Sequence, residues 1–457
     1  MDWNGLKVLV VGLGKSGLAA IELLVEKGAQ PLATDSRPLS QLPGAGSFLE
    51  QRHVPFVEQS IAFQSANWIV LSPGVPVDLP EVNQALERGA EILGEVELAG
   101  PYLRGPRIGI TGSNGKTTTT AWIGHLLKAS GVACQVGGNI GWPPAAMVAS
   151  SREDQWNVLE LSSFQLETTR LFSVGISVTL NITPDHLDRH HTFDAYAAAK
   201  RRVVETQGAG SWAILNADDV TVSGFAKHTK AQCCWFSLER PVSNGFWFDG
   251  EWIYHVAESG QQKWMRADEV PLPGRHNVQN LMASAAAAHL AGVPLEAIRK
   301  AAMTFPGVEH RIEFVRETGG VRYYNDSKAT NVDATLKAID SFPGALWIIL
   351  GGKDKGSDYT PLREPLQQKA RGVLLIGAAA GKIASQVEGT APLIQCGTLE
   401  TAVMRASKEA SSGDIVLLAP ACASFDQFQN YEERGRMFKT FVERIVSTRT
   451  AGAGRTE

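Results

Sequence analysis

The sequence predicts an α/β protein made of three consecutive blocks, and three observations predict it. Near the start, Leu6-Lys7-Val8-Leu9-Val10-Val11 runs into Gly12-Leu13-Gly14-Lys15-Ser16-Gly17 and then an Ala/Leu-rich stretch to about Lys27. That is a strand, a glycine turn and a helix, and a further strand ending near Asp35 completes one βαβ unit. A second strand–turn–helix passage is Arg107-Ile108-Gly109-Ile110-Thr111-Gly112-Ser113-Asn114-Gly115-Lys116-Thr117-Thr118. In the last third, apolar strands at 322–325, 346–350, 373–376 and 415–419 each end in a turn containing Gly, Asp or Ser. Such strand ends are where parallel sheets present ligand-binding loops.

Size and composition agree. At 457 residues the chain holds roughly three domains of ~150 residues. A formal charge of −4 argues against a general nucleic-acid or membrane-surface binder. No run approaches 18 apolar residues, so no transmembrane helix is expected. The first eleven residues lack the basic and apolar regions of a signal peptide. Cys134, Cys233, Cys234, Cys396 and Cys422 are odd in number, scattered and without CxxC spacing. Reduced thiols and a cytoplasmic setting are expected, with no disulfide framework or zinc site.

Within the first block a later strand, Trp68-Ile69-Val70-Leu71, precedes the turn Ser72-Pro73-Gly74. The Gly- and Pro-rich segment 100–106 is the first linker. The second block continues with strands at 157–161, 176–181 and 212–216, short strands in the Trp/Phe-rich stretch 233–266, and an Ala-rich helix over 277–290. A second boundary at Phe305-Pro306-Gly307 gives domains 1–101, 102–306 and 307–457, with a frayed tail at 450–457.

The passage around Gly115-Lys116-Thr117 carries the clearest chemistry. Glycines let backbone N–H groups close around phosphate oxygens, and the helix N-terminus adds partial positive charge. Lys116 is placed to reach the β/γ-phosphates and the Thr117 hydroxyl to ligate Mg²⁺. Ile110, five residues before Gly115, stands where the strict P-loop pattern has glycine, so the loop is a shorter form. Glu160 ends an apolar strand, where an anion is costly unless it meets a cation such as Mg²⁺; pairing with a basic side chain is the plainer alternative. His186, in Asn181-Ile182-Thr183-Pro184-Asp185-His186-Leu187-Asp188, is a candidate metal ligand or substrate contact. The polar loops 325–331, 351–356 and 419–426 suggest a small charged substrate. Lys328 and Lys355 suit carboxylates, while Thr330 and Ser424 offer hydroxyls.

Gly12-x-Gly14-x-x-Gly17 with Asp35 meets the dinucleotide fingerprint and suggests an NAD-dependent oxidoreductase. It requires only a phosphate at a helix N-terminus, which a UDP group satisfies equally. An oxidoreductase would leave the Lys116 loop, Glu160 and the third-block loops unexplained. A non-catalytic nucleotide sensor would need neither the metal ligands nor the amino-acid pocket.

Together these motifs resemble the Mur ligase family, the ATP-dependent amide ligases of peptidoglycan precursor synthesis, over essentially the whole chain. The carriers are 111–118, Glu160-Leu161-Ser162-Ser163-Phe164-Gln165-Leu166, 181–188, Gly274-Arg275-His276-Asn277-Val278-Gln279-Asn280 and His310-Arg311. The resemblance implies a Rossmann-like N-terminal domain, a P-loop-type ATP-binding central domain and a Rossmann-like C-terminal domain. Asp326-Ser327-Lys328-Ala329-Thr330-Asn331, Pro420-Ala421-Cys422-Ala423-Ser424-Phe425-Asp426-Gln427-Phe428 and Asp35-Ser36-Arg37 resemble members that add D-glutamate to UDP-N-acetylmuramoyl-L-alanine.

Residue roles follow from that resemblance. Gly112, Ser113, Asn114, Gly115, Lys116, Thr117 and Thr118 would hold ATP phosphates, with Asn277 and Asn280 near the adenine and Arg311 and Asp326 placing the nucleotide. Thr117 and Glu160 would bind one Mg²⁺. His186 and Lys200 would serve a second, with Lys200 carbamylated by CO₂. Without the family, Lys200 in Ala197-Ala198-Ala199-Lys200-Arg201-Arg202 would be taken for a solvated surface charge. Lys116, His186 and Lys200 form the catalytic set. The UDP substrate would meet Gly14, Lys15, Ser16, Asp35, Ser36, Arg37, Ser72, Gly74 and Asn139. D-glutamate would meet His186, Lys328, Thr330, Lys355, Ser424 and Phe425. The 351–355 loop varies in the family, so Lys353 competes with Lys355, and Ser36 stands where Thr also occurs. A monomer is expected.

Overall fold

Continuous apolar runs such as Val8-Leu9-Val10-Val11 and Ile348-Ile349-Leu350 become the strands of three sheets with both faces covered. The computed structural model describes residues 2–445; the expected tail at 450–457 lies outside them. The chain forms two compact units: one runs to Val270 and includes Gln279–Phe305, the other comprises Pro271–Val278 and the chain from Pro306 onward.

The first unit holds two sheets. Strands β1 (Lys7–Val11), β2 (Gln30–Thr34), β3 (Trp68–Leu71) and β4 (Glu91–Gly94) are parallel, in the order β2-β1-β3-β4. Alternation along β1 splits its side chains between two cores. Val8 and Val10 pack with Ile21 and Leu24 of helix Lys15–Glu26, while Leu9 and Val11 pack with Ile69, Leu71 and Val82. Gly17 is required by sterics: a Cβ there would lie 1.8 Å from the Gly12 carbonyl oxygen. The last glycine of the fingerprint thus serves close helix–turn packing.

The second sheet comprises β5 (Arg107–Thr111), β6 (Cys134–Gly138), β7 (Trp156–Glu160), β8 (Ile176–Thr179), β9 (Trp212–Asn216), β10 (Gln232–Ser237), β11 (Gly245–Phe248), β12 (Trp252–Ala257) and β13 (Gly260–Arg266). Its order is β13-β12-β11-β10-β9-β8-β5-β7-β6. Strands from β6 across to β11 run parallel, whereas β12 and β13 add antiparallel pairs. The Trp/Phe-rich stretch therefore extends this sheet. Because β5 lies between β7 and β8, the phosphate-type loop, Glu160 and Asn181 emerge side by side.

The second unit is built on β14 (Glu313–Thr318), β15 (Val321–Asn325), β16 (Leu346–Gly351), β17 (Ala370–Ile376), β18 (Leu393–Gly397) and β19 (Ile415–Leu418), ordered β14-β15-β19-β16-β17-β18. Only β14 pairs antiparallel, at one edge. Among the described residues no helix is long and apolar enough to cross a membrane. All five cysteines are free.

Four strands escaped the sequence reading: β4, β6, β14 and β18. Each lies at a sheet edge, where one side has no partner strand. Edge position removes the demand for an uninterrupted apolar run, and Cys134-Gln135-Val136-Gly137-Gly138 shows little periodicity as a result.

Glu97 joins the two sheets of the first unit. Its carboxylate accepts the backbone N–H groups of Arg170, Leu171 and Phe172 at 2.9, 2.9 and 3.0 Å. Glu97→Gln weakens this clamp and is expected to lower stability by about 2 kcal/mol, read as a lower urea midpoint.

Candidate active site

The loop after β5 is held by the neighbouring strand end. Ser113 N–H donates to the Asn181 carbonyl at 2.8 Å, and Asn114 N–H to Asn181 Oδ1 at 2.8 Å. Asn181 Nδ2 returns a bond to the Asn114 carbonyl at 3.1 Å. Gly115 caps helix Lys116–Ala129 in the left-handed region, φ 85°, and a Cβ there would meet Asn280 Oδ1 at 2.5 Å. Glycine is needed on both counts. The loop is therefore shaped by its surroundings, which is what preorganised phosphate binding requires.

Two lysines converge on this loop. Lys116 Nζ donates to the carbonyls of Gly112 and Ser113 at 2.8 and 2.9 Å, and Lys200 Nζ donates to the same Gly112 oxygen at 2.9 Å. Lys200 is 1% exposed, which corrects the sequence view of it as a surface charge. Burial, and next the charge of Lys116, hold its ammonium well below the usual lysine range, with Asp185 and Glu160 pulling the other way. Tyr196, one helical turn before Lys200, lies with its ring 4.8 Å from Lys200 Nζ and shares a 2.9 Å hydrogen bond with Ser113 Oγ. Burial pushes its phenol up to about 12.

Glu160 faces this cluster from the end of β7. Asn139 Nδ2 donates to Glu160 Oε1 at 2.9 Å. Oε2 is buried and has no hydrogen-bond partner among the described residues. An unsatisfied buried carboxylate oxygen near the phosphate loop fits a divalent cation. Among the described residues no three His, Cys, Asp or Glu side chains form a complete metal cage. Gly138 permits the arrangement, since a Cβ there would lie 2.2 Å from the Glu160 carbonyl oxygen.

His186 begins the one-turn helix Leu187–His190 in the left-handed conformation, φ 52°. Its ring lies 4.8 Å from Phe164 and 3.6 Å, Nε2 to Oδ2, from Asp185. His190, absent from the sequence reading, is buried with Nε2 3.0 Å from Ser163 Oγ.

The residues expected at the UDP end cluster on the first sheet. Gly14 caps helix Lys15–Glu26, and Lys15 and Ser16 form its first turn. Asp35 accepts Leu13 N–H at 2.8 Å and Arg37 Nε–H at 3.0 Å. Burial opposes ionisation there, but Arg37 and Leu13 outweigh it and keep the carboxyl below its ordinary range. Ser36 lies between these two bracing residues. Ser72 Oγ donates to the Gly12 carbonyl at 2.6 Å, bringing the turn with Gly74 beside the glycine turn. A narrow groove, too tight for more than a thin ligand segment, lies between Ser72, Pro73 and Val75 on one side and Phe164, Gln165 and Glu167 on the other.

The second unit gathers its own group. Asn277 Nδ2 donates to the Pro273 carbonyl at 2.7 Å. Burial pushes Asp326 up to about 7, with Arg311 opposing. Lys328 Nζ lies 5.3 Å from the Tyr431 ring centre. Ala421 N–H donates to the Ala329 carbonyl at 2.9 Å, and Lys353 N–H to the Ala423 carbonyl at 2.8 Å, so the three strand-end loops meet. Buried Arg434 ties two of them, donating to Ser327 Oγ, the Ser327 carbonyl and the Cys422 carbonyl at 2.9, 2.8 and 3.1 Å. Thr330 is half-buried and Ser424 buried, whereas Lys355 and Phe425 are exposed. Lys116, Thr117, Glu160, His186, Lys200 and Asn280 belong to one unit; Asn277, Arg311, Asp326, Lys328, Thr330, Lys355, Ser424 and Phe425 belong to the other.

Three successive family models match the chain: the Mur ligase MurD-like N-terminal domain over residues 6–94, the Mur ligase middle domain over 110–288, and the Mur ligase glutamate ligase domain over 310–422. The chain belongs to the Mur ligase family. It is similar to the UDP-N-acetylmuramoylalanine--D-glutamate ligase of Solibacter usitatus, with 55% identity over 443 residues covering 97% of this chain and 98% of the relative. The protein of the same name from Acidobacterium capsulatum is 50% identical over 455 residues, 97% of each chain. Among solved structures, the MurF ligase from Thermotoga maritima in complex with ADP shares the fold, with a TM-score of 0.60 at 18% identity over 97% of each chain.

Tyr196 and Asn181 carried signals that the sequence reading left unused. Tyr196 stands four residues before Lys200 on one helix face, and Asn181 opens the His186 segment. His190 yields a pH prediction. Burial, and next Arg189, lower its pKa from 6.5 to about 4. The unfolded chain therefore takes up the proton first, and stability falls as pH drops from 6.5 towards 4. His190→Gln should flatten that part of a melting-temperature–pH curve.

Proposed function

We propose that this chain is an ATP-dependent ligase that adds D-glutamate to UDP-N-acetylmuramoyl-L-alanine, giving ADP and phosphate, in peptidoglycan precursor synthesis. The observation that carries the reading is the pairing of Lys116 and Lys200 on the phosphate-type loop opposite the unpartnered Glu160 oxygen. The full-length relatives bearing the D-glutamate ligase name support the choice of substrates.

The substrate carboxylate attacks the γ-phosphate of ATP, and the acyl phosphate formed has a good leaving group. The uncharged amine of D-glutamate then attacks the carbonyl, and phosphate departs from the tetrahedral intermediate. Residues 112–118 cradle the phosphates, with Lys116 meeting charge on the transferring group. Thr117 and Glu160 are the proposed ligands of one Mg²⁺, His186 and Lys200 of a second. Mg²⁺ supplies charge neutralisation and in-line orientation. Burial and the nearby Lys116 charge lower the basicity of Lys200 and so favour its uncharged amine; that amine would add CO₂, its lone pair forming the N–C bond and a proton leaving to give a carbamate anion.

Asn139 orients Glu160 and approaches the muramoyl portion. Gly14, Lys15, Ser16, Asp35, Ser36, Arg37, Ser72 and Gly74 form the UDP end, and the groove beside Ser72 flanks the muramoyl portion. Asn277, Asn280, Arg311 and Asp326 serve the nucleotide. His186, Lys328, Thr330, Lys355, Ser424 and Phe425 form the D-glutamate subsite. Working domain limits are 1–101, 102–306 and 307–457, and a cytoplasmic monomer is the proposed setting.

The test is phosphate release from Mg-ATP and UDP-N-acetylmuramoyl-L-alanine with D-glutamate, L-glutamate, L-lysine, meso-diaminopimelate or no amino acid. Release only with D-glutamate, with a matching mass gain on the nucleotide sugar, is expected; release with a different amino acid alone contradicts the substrate assignment. Lys116→Ala should lower kcat on the order of 10²- to 10³-fold. Retained full activity would remove the phosphate loop from the mechanism.

A further inference from the structure

We propose that Arg189 is a positioning residue that fixes the spacing between the two walls of the cleft beside Ser72. The proposal rests on the assignment of that cleft to the muramoyl substrate. One wall is the turn after β3, with Ser72, Pro73 and Val75; the other is the segment with Phe164, Gln165 and Glu167. Arg189 touches both. Its guanidinium pairs with Glu167 and donates from Nη2 to the Val75 carbonyl at 2.8 Å. It also lies 4.9 Å from the centre of the Phe164 ring, against which His186 packs at 4.8 Å.

The bridge is buried and tightly constrained. The Arg189 and Glu167 side chains are 11% and 12% exposed. Arg189 sits in the one-turn helix Leu187–His190, flanked by His186 at φ 52° and His191 at φ 64°. Non-glycine residues hold that backbone conformation only where surrounding contacts impose it. His191 adds an exposed tie, with Nε2 2.9 Å from Asp78 Oδ2. Both bonds leave the one Nη2 nitrogen, whose two N–H groups serve Glu167 and the Val75 carbonyl. Arg189 thus couples the turn carrying Ser72 and Gly74 to the segment carrying His186.

A charge-balanced pair of variants separates positioning from stability. Arg189→Met leaves the largely buried Glu167 without its guanidinium, with only His190 Nδ1 at 3.7 Å beside it, which is destabilising in itself. Arg189→Met with Glu167→Gln removes both charges while still lacking the bond to Val75. Kinetics with all three substrates and melting temperatures are measured for wild type, each single variant and the pair. The paired variant is expected to recover most of the melting temperature. Its KM for UDP-N-acetylmuramoyl-L-alanine should stay raised roughly ten- to a hundredfold, with KM for ATP and D-glutamate within about twofold of wild type. Recovery of the muramoyl-substrate KM in the paired variant would overturn the proposal, as would a rise in all three KM values together. If neither Met variant folds, Arg189→Leu with Glu167→Leu, an apolar replacement of the whole pair, decides: a selective rise in the muramoyl-substrate KM supports the bridge, and a wild-type KM refutes it. Failure of the functional reading itself would show as absent D-glutamate-dependent turnover in wild type.

Discussion

Two lysine side chains share one backbone oxygen, Gly112 O, and the central chemistry depends on that convergence. Two like charges brought onto one carbonyl oxygen repel, and the more so where water is excluded. Lys200, the more deeply buried, yields: its ammonium is disfavoured by burial and by Lys116. In the proposed mechanism Lys116 takes the phosphate role, and the lowered basicity of Lys200 is what the proposed carbamate draws on.

The fold provides that constraint through strand order. With β5 between β7 and β8, the loop, Glu160 and Asn181 are neighbours at the C-terminal ends of three adjacent strands. Asn181 holds the loop, Asn139 holds Glu160, and glycines at 115 and 138 allow approaches that any Cβ would block. The loops of the second unit are braced similarly, with buried Arg434 bonded to neutral oxygens of Ser327 and Cys422.

Much of this was legible in the sequence because apolar runs and glycine turns report local backbone requirements. The α/β class, most central strands and the Lys116 loop followed directly. Edge strands such as β6 and β18 did not, since an unpaired side relaxes the apolar demand. Lys200 was invisible to local pattern: Ala-Ala-Ala-Lys-Arg-Arg describes a solvated helix face, and only tertiary packing buries that lysine. His190, Arg189 and Glu97 were silent for the same reason, as each acts through partners distant in sequence. The dinucleotide fingerprint, which the sequence left open to a UDP group, has local causes: Gly17 answers to the Gly12 carbonyl and Asp35 braces Leu13. Neither contact specifies a nicotinamide cofactor.

The most direct measurement is NMR of the protein equilibrated with isotopically labelled bicarbonate near neutral pH, comparing wild type with Lys200→Ala. A neutral Lys200 amine forced by burial and Lys116 should give a carbamate carbon resonance in wild type that is lost in the variant. A wild-type spectrum without that resonance, with the Lys200 side chain titrating as an ordinary ammonium, would contradict the division of roles between the two lysines.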